Sequence, residues 1–313
     1  MTCEVGLQPE NISEGKEGEL PSFSLIIPTY NRPEPLALCL QACAQLDYPC
    51  ERLELIVVND GGERPLTNLI APFREKIDIR LVNQTNQGPA TARNAGAAVA
   101  EGEYLAFTDD DCAPDTGWLR FLAQGFARET AVALGGHTVN VLRNNLFATA
   151  SQQLVDFLYA YFNRPAATFF TSNNFAIART LFLEVGGFRH DMPLAAGEDR
   201  EFCDRWRHGG NRLHYVPEAV VYHRHHLTAR SFWRQHFNYG RGAWHFHQVR
   251  AQRKQQKVQI ESFSFYRDLL LYPLAQQRTA RAALQVGLLG VSQVANAVGF
   301  FYERRQSRIA NDQ

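Results

Sequence analysis

The chain has 313 residues, 45% hydrophobic and 20% charged, which is enough for one large globular domain and an appendage. Its 32 basic and 32 acidic residues cancel, so the overall charge gives no indication of a nucleic-acid partner. The first 20 residues contain no apolar run, which predicts a flexible tail and no signal peptide. Six cysteines without a C-x-x-C pair favour a reducing, cytoplasmic compartment.

Short apolar runs alternate with helical patterns over the first third of the chain. Buried strands are predicted at 23–27, 53–58, 77–82 and 104–108, and helices at 33–46 and 90–100. This alternation predicts an α/β fold with a Rossmann-like, mostly parallel sheet flanked by helices. Polar residues follow three of the strands: Thr29 to Arg32, Asp60, and Asp109 to Asp111. Since the carboxyl ends of parallel strands share one edge, these residues predict a ligand site there.

The remainder of the chain divides near residue 230. Strands are predicted at 131–136 and 175–178, a helix at 199–208, and a strand at 214–222 that is broken at Pro217. After residue 230 the sequence becomes helical, basic and aromatic. The predicted organisation is a flexible tail over 1–20, an α/β domain over 21–230 and a C-terminal helical extension over 231–313.

Three consecutive carboxylates follow the fourth predicted strand. In an extended strand end, Asp109 and Asp111 would point the same way and Asp110 would face elsewhere. Paired carboxylate oxygens suit Mn²⁺ or Mg²⁺, which would stabilise the anionic phosphates left by a departing diphosphate. The alternative is that the three acids only form a turn.

Five motifs in order resemble the family 2 glycosyltransferases with the GT-A fold, over about residues 22–225. They are Ile27-Pro-Thr-Tyr-Asn-Arg32, Val57-Val-Asn-Asp-Gly-Gly62, Asn86-Gln-Gly-Pro-Ala-Thr-Ala-Arg-Asn-Ala-Gly96, Phe107-Thr-Asp-Asp-Asp-Cys112 with Trp118-Leu119, and Gly186-Gly-Phe188 with Gly197-Glu-Asp199. The resemblance implies inverting transfer of a sugar from a UDP-, GDP- or dTDP-linked donor to a sugar, a lipid-linked acceptor or another hydroxyl, assisted by Mn²⁺ or Mg²⁺.

The resemblance also implies roles on the donor side of the site. By this resemblance, Asp111 would be the principal metal ligand, and Asp109 would contact the ribose or the metal. Asp60 would contact the nucleobase, Thr29 and Tyr30 would contact the nucleoside, and Arg93 would lie near the nucleotide. The alternative for Arg93 is an ordinary arginine on a helix surface.

Two further groups are predicted to carry the chemistry. An inverting transfer needs a base for the acceptor proton, and the resemblance assigns this role to Asp199, with Glu198 as a neighbouring substrate contact. Alternatively, the two acids only begin a helix, where negative charge is favourable. His223 and His225 would face one side of a continuing strand and could complete the metal shell or touch the diphosphate. The alternative is a surface histidine cluster.

The C-terminal region departs from the processive members of the family. These carry Gln-x-x-Arg-Trp, whereas this chain has Gln235-His-Phe-Asn-Tyr239 and lacks multiple long membrane spans, which favours a single transfer. Residues 228–281 carry ten Lys or Arg and only two acids, and the segment Ala282–Phe301 that follows has no charge. This combination indicates peripheral contact with the inner face of a membrane. The alternative is a helix packed on the domain. We expect this region to decide where the enzyme works and not whether it binds the donor.

Two other functions fit a nucleotide-binding sheet of this kind. A sugar-phosphate nucleotidyltransferase would need a glycine-rich loop after the first strand, and residues 28–32 contain no glycine. A non-catalytic nucleotide-sugar-binding module would not need the carboxylates predicted to act as base and metal ligand. A P-loop enzyme is excluded because G-x-x-x-x-G-K is missing.

Overall fold

The computed structural model describes residues 20–192, 196–255 and 261–311, so the predicted flexible tail lies, apart from residue 20, outside the described residues. Within these ranges, eight strands form one sheet: β1 Phe23–Thr29, β2 Leu53–Asp60, β3 Asp78–Gln84, β4 Tyr104–Phe107, β5 Cys112–Pro114, β6 Val132–Asn140, β7 Phe175–Ala178 and β8 Arg212–His223. The α-helices are α1 Pro33–Cys43, α2 Thr67–Ile70, α3 Pro89–Val99, α4 Trp118–Arg128, α5 Leu146–Phe162, α6 Arg179–Glu184, α7 Glu198–His208, α8 Ala229–Lys254, α9 Phe263–Gln276 and α10 Ala280–Asn311.

The strand order is β3-β2-β1-β4-β7-β6-β8-β5. β1 is parallel to β2 and β4, β2 to β3, and β6 to β8, whereas β7 is antiparallel to both of its neighbours and β5 to β8. This mostly parallel sheet between helices confirms the predicted fold class. Because β7 reverses the direction twice, β8 runs the same way as β1, β2 and β4, and all four strands end at one edge of the sheet.

The central strands are buried on both faces, as expected for parallel strands covered by helices. In β1, Phe23, Leu25 and Ile27 pack into one core with α1 and α4, while Ile26 packs into a second core with α3. This double burial explains why these strands appear in the sequence as short continuous apolar runs. It also leaves polar residues only at the strand ends.

The structure differs from the predicted elements in its second half. The strand predicted to break at Pro217 is continuous in β8, because its pairing with β6 shifts register between Gly136 and His137 and leaves the proline in a bulge. α4, α5 and the three-residue β5 were not predicted. In α5 the residues Ala150, Leu154 and Phe157 lie at helical spacing and pack on the C-terminal helices, while Tyr159 packs on the core of the sheet.

The C-terminal helices pack closely on one another and on α5. A side chain at Gly240 of α8 would collide with the carbonyl oxygen of Asn296 in α10, and one at Gly299 would collide with that of Phe237. These two glycines therefore allow the backbones of α8 and α10 to approach closely. Leu154 of α5, Leu269 of α9 and Leu289 of α10 belong to one buried cluster.

The segment Ala280–Ile309 of α10 is long and apolar enough to cross a membrane by length and composition alone. In the structure it has two unlike faces. One is buried and includes the polar Gln285, Ser292 and Glu303. The other exposes large apolar side chains at helical spacing: Leu284, Val291, Val294, Val298 and Phe301. We call this second face the α10 stripe.

Candidate active site

A carboxylate and two histidines meet at the edge where β8 ends. β5 pairs with the end of β8 so that Cys112 lies opposite His223, which places Asp111 beside the histidines. One oxygen of Asp111 lies 3.3 Å from Nε2 of His223, and the other lies 3.2 Å from Nδ1 of His225. One donor atom from each of the three residues fits within 4.8 Å, so the group could hold a metal ion. This arrangement fits the predicted metal role of both histidines and not a surface cluster.

Arg32 adds a positive charge to the same group. Its guanidinium donates to Asp110 at 2.8 Å and to Asp111 at 2.7 Å. Although burial opposes ionisation, hydrogen bonds from His223 and His225 hold the pKa of Asp111 well below its usual range. Asp111 is therefore ionised at neutral pH.

The expected geometry of the three acids was wrong. β4 ends at Phe107, and the N–H of Cys112 donates to the carbonyl of Asp109 at 3.0 Å, so the acids lie in a turn and strand alternation does not apply. Asp110 turns inward to accept from Thr29 Oγ1 at 2.7 Å. Among the described residues, Asp109 lies outside the group of possible metal ligands and pairs with Arg93.

A glutamine on α8 fixes the orientation of His225. The amide nitrogen of Gln235 donates to Ser151 and Tyr239, so its oxygen faces Nε2 of His225 at 3.0 Å. With that oxygen as acceptor, Nε2 of a neutral His225 must carry the proton. In that tautomer Nδ1 would be free to bind a metal. With Asp111 as its neighbour, Nδ1 instead donates to the carboxylate, and although burial opposes it, this contact raises the pKa of His225. The sequence places Gln235 in the Gln235–Tyr239 segment but does not predict its contact with His225.

Asp60 holds the loop that leads into α3. Its Oδ1 accepts from the backbone N–H of Gln87, and its Oδ2 from that of Gly88, both at 2.8 Å. Gly88 has φ +87°, a left-handed conformation that favours glycine. Tyr30, half exposed, and the buried Thr29 line the same cavity as Asp60. The structure thus brings together the three residues predicted to contact the nucleoside.

Arg93 is only 3% exposed, which rules out the alternative of a surface arginine. It donates to Asp109 at 2.7 Å and to Glu198 at 3.3 Å, and so links α3, the end of β4 and the start of α7. Nε of Arg93 and Oε2 of Glu198 have no hydrogen-bond partner among the described residues. Such unsatisfied polar atoms in a cavity wall are groups that a bound substrate can satisfy.

The pair Glu198 and Asp199 begins α7. Gly197, at φ +95°, caps the helix, and Asp199 accepts from the backbone N–H of Arg200 at 2.7 Å. Burial, together with the charge of Asp199, raises the pKa of Glu198 to about 7. Burial also raises the pKa of Asp199. The predicted helix start is present, and the role of base stays a prediction that is compatible with it, because the helix start also fixes the position of the carboxylates.

All of these groups line one cavity of about 940 Å³ at the carboxyl edge of the sheet. The cavity extends beyond them, and its far wall is formed by apolar residues of α5, α8, α9 and α10. The C-terminal helices therefore also line the cavity, and the expectation that they decide where the enzyme works and not whether it binds the donor stays a prediction. Arg241 of α8 pairs with Glu303 of α10.

Sequence comparisons agree with this architecture. Residues 24–189, more than half of the chain, match the family model described as Glycosyl transferase family 2. The probable glycosyltransferase YdaM of Bacillus subtilis is 29% identical over 246 residues, which cover 74% of this chain and 58% of YdaM. Glycosyltransferase AglE of Haloferax volcanii is 27% identical over 213 residues, 65% of this chain and 67% of AglE. The chain spans only 34% of the chondroitin synthase of Escherichia coli, to which it is 28% identical.

Solved structures show the same fold. The mannosyltransferase PcManGT of Pyrobaculum calidifontis, solved with GDP-Man and Mn²⁺, has a TM-score of 0.62 at 18% identity and covers 90% of this chain and 88% of its own. TarS 1–349 of S. aureus, solved with UDP-GlcNAc, has a TM-score of 0.53 at 18% identity, with 92% of each chain covered. The chain belongs to glycosyl transferase family 2 and is a glycosyltransferase with the GT-A fold.

Proposed function

We propose that this enzyme moves a single sugar from a nucleoside-diphosphate sugar onto an acceptor hydroxyl, with inversion and with the help of a divalent metal. One observation carries the proposal: the Asp111, His223 and His225 group and the Glu198–Asp199 pair line the same cavity. A metal-ligand group beside a buried carboxylate pair matches the two needs of the reaction, a stabilised leaving diphosphate and a base. PcManGT, similar in fold, was solved with GDP-Man and Mn²⁺.

The ligand group indicates which metal suits the site. A carboxylate oxygen suits Mg²⁺ and Mn²⁺ alike, whereas imidazole nitrogen is a softer ligand that Mg²⁺ seldom accepts. Two histidines beside Asp111 therefore favour Mn²⁺. When bound, the ion would neutralise charge that develops on the diphosphate. We keep Asp109 as a ribose contact or an assisting ligand, since its side chain is 31% exposed and lines the cavity.

The protein groups perform the transfer itself. Asp199 accepts the acceptor's hydroxyl proton while that oxygen forms a bond to the anomeric carbon of the sugar. The bond from that carbon to the diphosphate oxygen breaks, and its electron pair leaves with the nucleoside diphosphate. Attack from the face opposite the leaving group inverts the anomeric configuration. Glu198, held by Arg93, contacts the sugar, and Thr29, Tyr30 and Asp60 contact the nucleoside.

The function is tested with a panel of UDP-, GDP- and dTDP-sugars in the presence of Mn²⁺, scored by release of nucleoside diphosphate. We expect one donor to be turned over and the release to depend on the metal. Product anomeric configuration, determined by NMR, should be opposite to that of the donor. Absence of binding and of release for every donor would contradict the proposal.

The raised carboxylate pKa values predict the pH dependence. The base acts only when ionised, so the pKa of Asp199, which burial raises, should make kcat/KM begin to fall at a higher pH than an ordinary aspartate would. Glu198→Gln removes a negative neighbour of Asp199, which should lower the apparent pKa and move this acid limb to lower pH. The measurement is a pH profile of kcat/KM for both forms. Glu184→Gln, an exposed change on α6, should leave the limb in place, and an unmoved limb in Glu198→Gln would contradict the assignment.

We further propose that the enzyme works in the cytoplasm, peripherally on the inner face of a membrane. The α10 stripe exposes large apolar side chains, Leu284 and Phe301 among them at 60% and 57%, and Arg281 and Arg305 lie exposed along the same helix. Basic side chains near an anionic surface each contribute about 1 kcal/mol of attraction, and apolar contact adds to it. An anionic lipid surface therefore fits this face.

Vesicle binding tests this contact. The full chain should co-sediment with anionic vesicles at low salt and be released at high salt. The double variant Leu284→Glu with Val298→Glu should lose at least half of the retention, because both residues lie on the α10 stripe and outside the cavity wall. Leu183→Glu, an equally exposed leucine on α6, is the matched control. A wild-type chain that stays in the supernatant would favour the packing alternative.

A further inference from the structure

The cavity extends beyond the groups assigned to the donor. Its volume of about 940 Å³ is near the top of the range of about 300–1,000 Å³ for sites that bind a single ligand. Beyond Asp199 the wall includes apolar side chains from α5, α9 and α10, such as Leu154, Leu158, Leu269 and Ala297, together with the polar Gln293 and Asn296 of α10. We call this part of the cavity the apolar lobe.

The apolar lobe reaches the outer surface through α10. Val294 and Phe301 line the cavity and are also each 57% exposed as members of the α10 stripe. The opening of the lobe is thus continuous with the face proposed to contact a lipid surface.

A cation with unusual surroundings lies between the apolar lobe and Asp199. The Arg200 guanidinium lies 5.7, 5.8 and 5.0 Å from the ring centroids of Phe162, Phe169 and Phe246. Among residues 20–192, 196–255 and 261–311, no carboxylate oxygen lies within the 4.0 Å of an ion pair with it, although Glu261 lines the same cavity.

Neighbouring arginines of the same region are neutralised. Arg93 pairs with Asp109 and Glu198, and Arg253 pairs with Glu201 and Asp204. Within the part of the chain that the structure describes, Arg200 has no such ion pair, although the charges of Asp199, Glu261 and Asp204 act on it from a greater distance. A guanidinium held among aromatic rings has lost hydration that a fixed carboxylate would replace. An anionic group of a ligand would supply this partner, with bidentate geometry for a phosphate or carboxylate.

We propose that the acceptor is an anionic amphiphile, a hydroxyl-bearing headgroup with a phosphate or carboxylate on a hydrocarbon chain. The chain lies in the apolar lobe, the anion binds Arg200, and the hydroxyl reaches Asp199, the next residue along α7. This inference rests on the proposed function and names its acceptor class. It also explains why the apolar lobe, the unpaired cation and the base occur together.

The test uses dodecyl phosphate below its micelle concentration, with binding measured by calorimetry. Dodecyl phosphate should bind at least about tenfold more tightly than dodecyl maltoside, which lacks the anion, and than butyl phosphate, which lacks the chain. Arg200→Gln should weaken dodecyl phosphate binding by about tenfold or more. Arg207→Gln, an exposed arginine on the same helix, should not. Ala297→Trp, which fills the lobe at an exposed helix position, should also weaken it.

Several outcomes would overturn the inference. If dodecyl maltoside bound as tightly as dodecyl phosphate, the proposed anion site would be refuted. If butyl phosphate bound as tightly as dodecyl phosphate, the proposed role of the apolar lobe would be refuted. Unchanged affinity in Arg200→Gln, with a thermal unfolding midpoint equal to that of the wild type, would exclude Arg200. Nucleotide-sugar binding with Mn²⁺ is measured on the same wild-type preparation. If the donor binds and the amphiphile does not, the inference fails while the proposed function stands.

Discussion

Asp111→Ala is expected to abolish donor turnover and Mn²⁺ binding together. Asp111 contacts both histidines and is the one carboxylate in the group of possible metal ligands among the described residues. Its loss removes the carboxylate of this group and leaves His223 and His225 without their shared counter-charge, while Arg32 keeps its pair with Asp110. Mn²⁺ binding is measured by titration calorimetry or by the EPR signal of the free ion, and turnover by release of nucleoside diphosphate.

Two controls separate metal loss from misfolding. Chelation of the wild type with EDTA should reproduce the Asp111→Ala defect without any change of sequence. His225→Ala should weaken Mn²⁺ binding by about 10- to 100-fold, whereas His226→Ala, exposed on the same segment and outside the ligand group, should not. Full activity in excess EDTA would refute the metal assignment, including the roles of His223 and His225.

The central fold could be predicted from sequence because each strand carries its own signal. β1, β2 and β4 are short apolar runs followed by polar residues, and burial on both faces makes such runs independent of their neighbours. α5 carries a signal that the prediction did not include. Phe147, Ala150, Leu154 and Phe157 recur at helical spacing, and this stripe packs on the C-terminal helices. The bulge at Pro217, by contrast, was hidden, since it depends on the pairing of β8 with β6.

The candidate site also contains some residues that the sequence could predict and others that it could not. Asp111, His223 and Asp199 could be predicted because each follows or begins a recognisable element in a motif. The groups that orient them could not, because the contacts arise between distant segments. Arg32 and Asp111 are 79 residues apart, and Arg93 and Glu198 are 105 apart. Nothing local in the sequence distinguishes these arginines from surface arginines.

Arg200 gives a sharper example. It follows the predicted base directly, and its charge in the first turn of α7 is unfavourable for the helix dipole. The sequence alone does not explain why an arginine occupies this position. The structure places aromatic rings from α5, α8 and residue 169 around it. A residue type that is unfavourable for the helix in which it lies is a candidate for a functional role.

Asp199→Asn is expected to reduce transfer by roughly 10²-fold or more while donor binding stays within about twofold of the wild type. The amide keeps the shape of the carboxylate and its contact with the backbone N–H of Arg200, so the start of α7 is preserved. It removes only the ability to take the acceptor proton. Asp199 makes no contact with Asp111, His223 or His225 in this structure, so the metal group should be unaffected.

The measurement pairs single-turnover transfer rates with calorimetry of donor binding. Asp191→Asn, an exposed carboxylate that precedes α7 and pairs with Arg189, is the matched control and should transfer at the wild-type rate. Loss of donor binding in parallel with the rate would make Asp199 a structural residue. If donor binding is retained in both variants and the transfer rate falls further in Glu198→Gln than in Asp199→Asn, the base is Glu198. Glu198 is the more buried of the two carboxylates and has a pKa of about 7. An acid with that pKa is also suited to proton transfer near neutral pH, and only this comparison separates the two carboxylates.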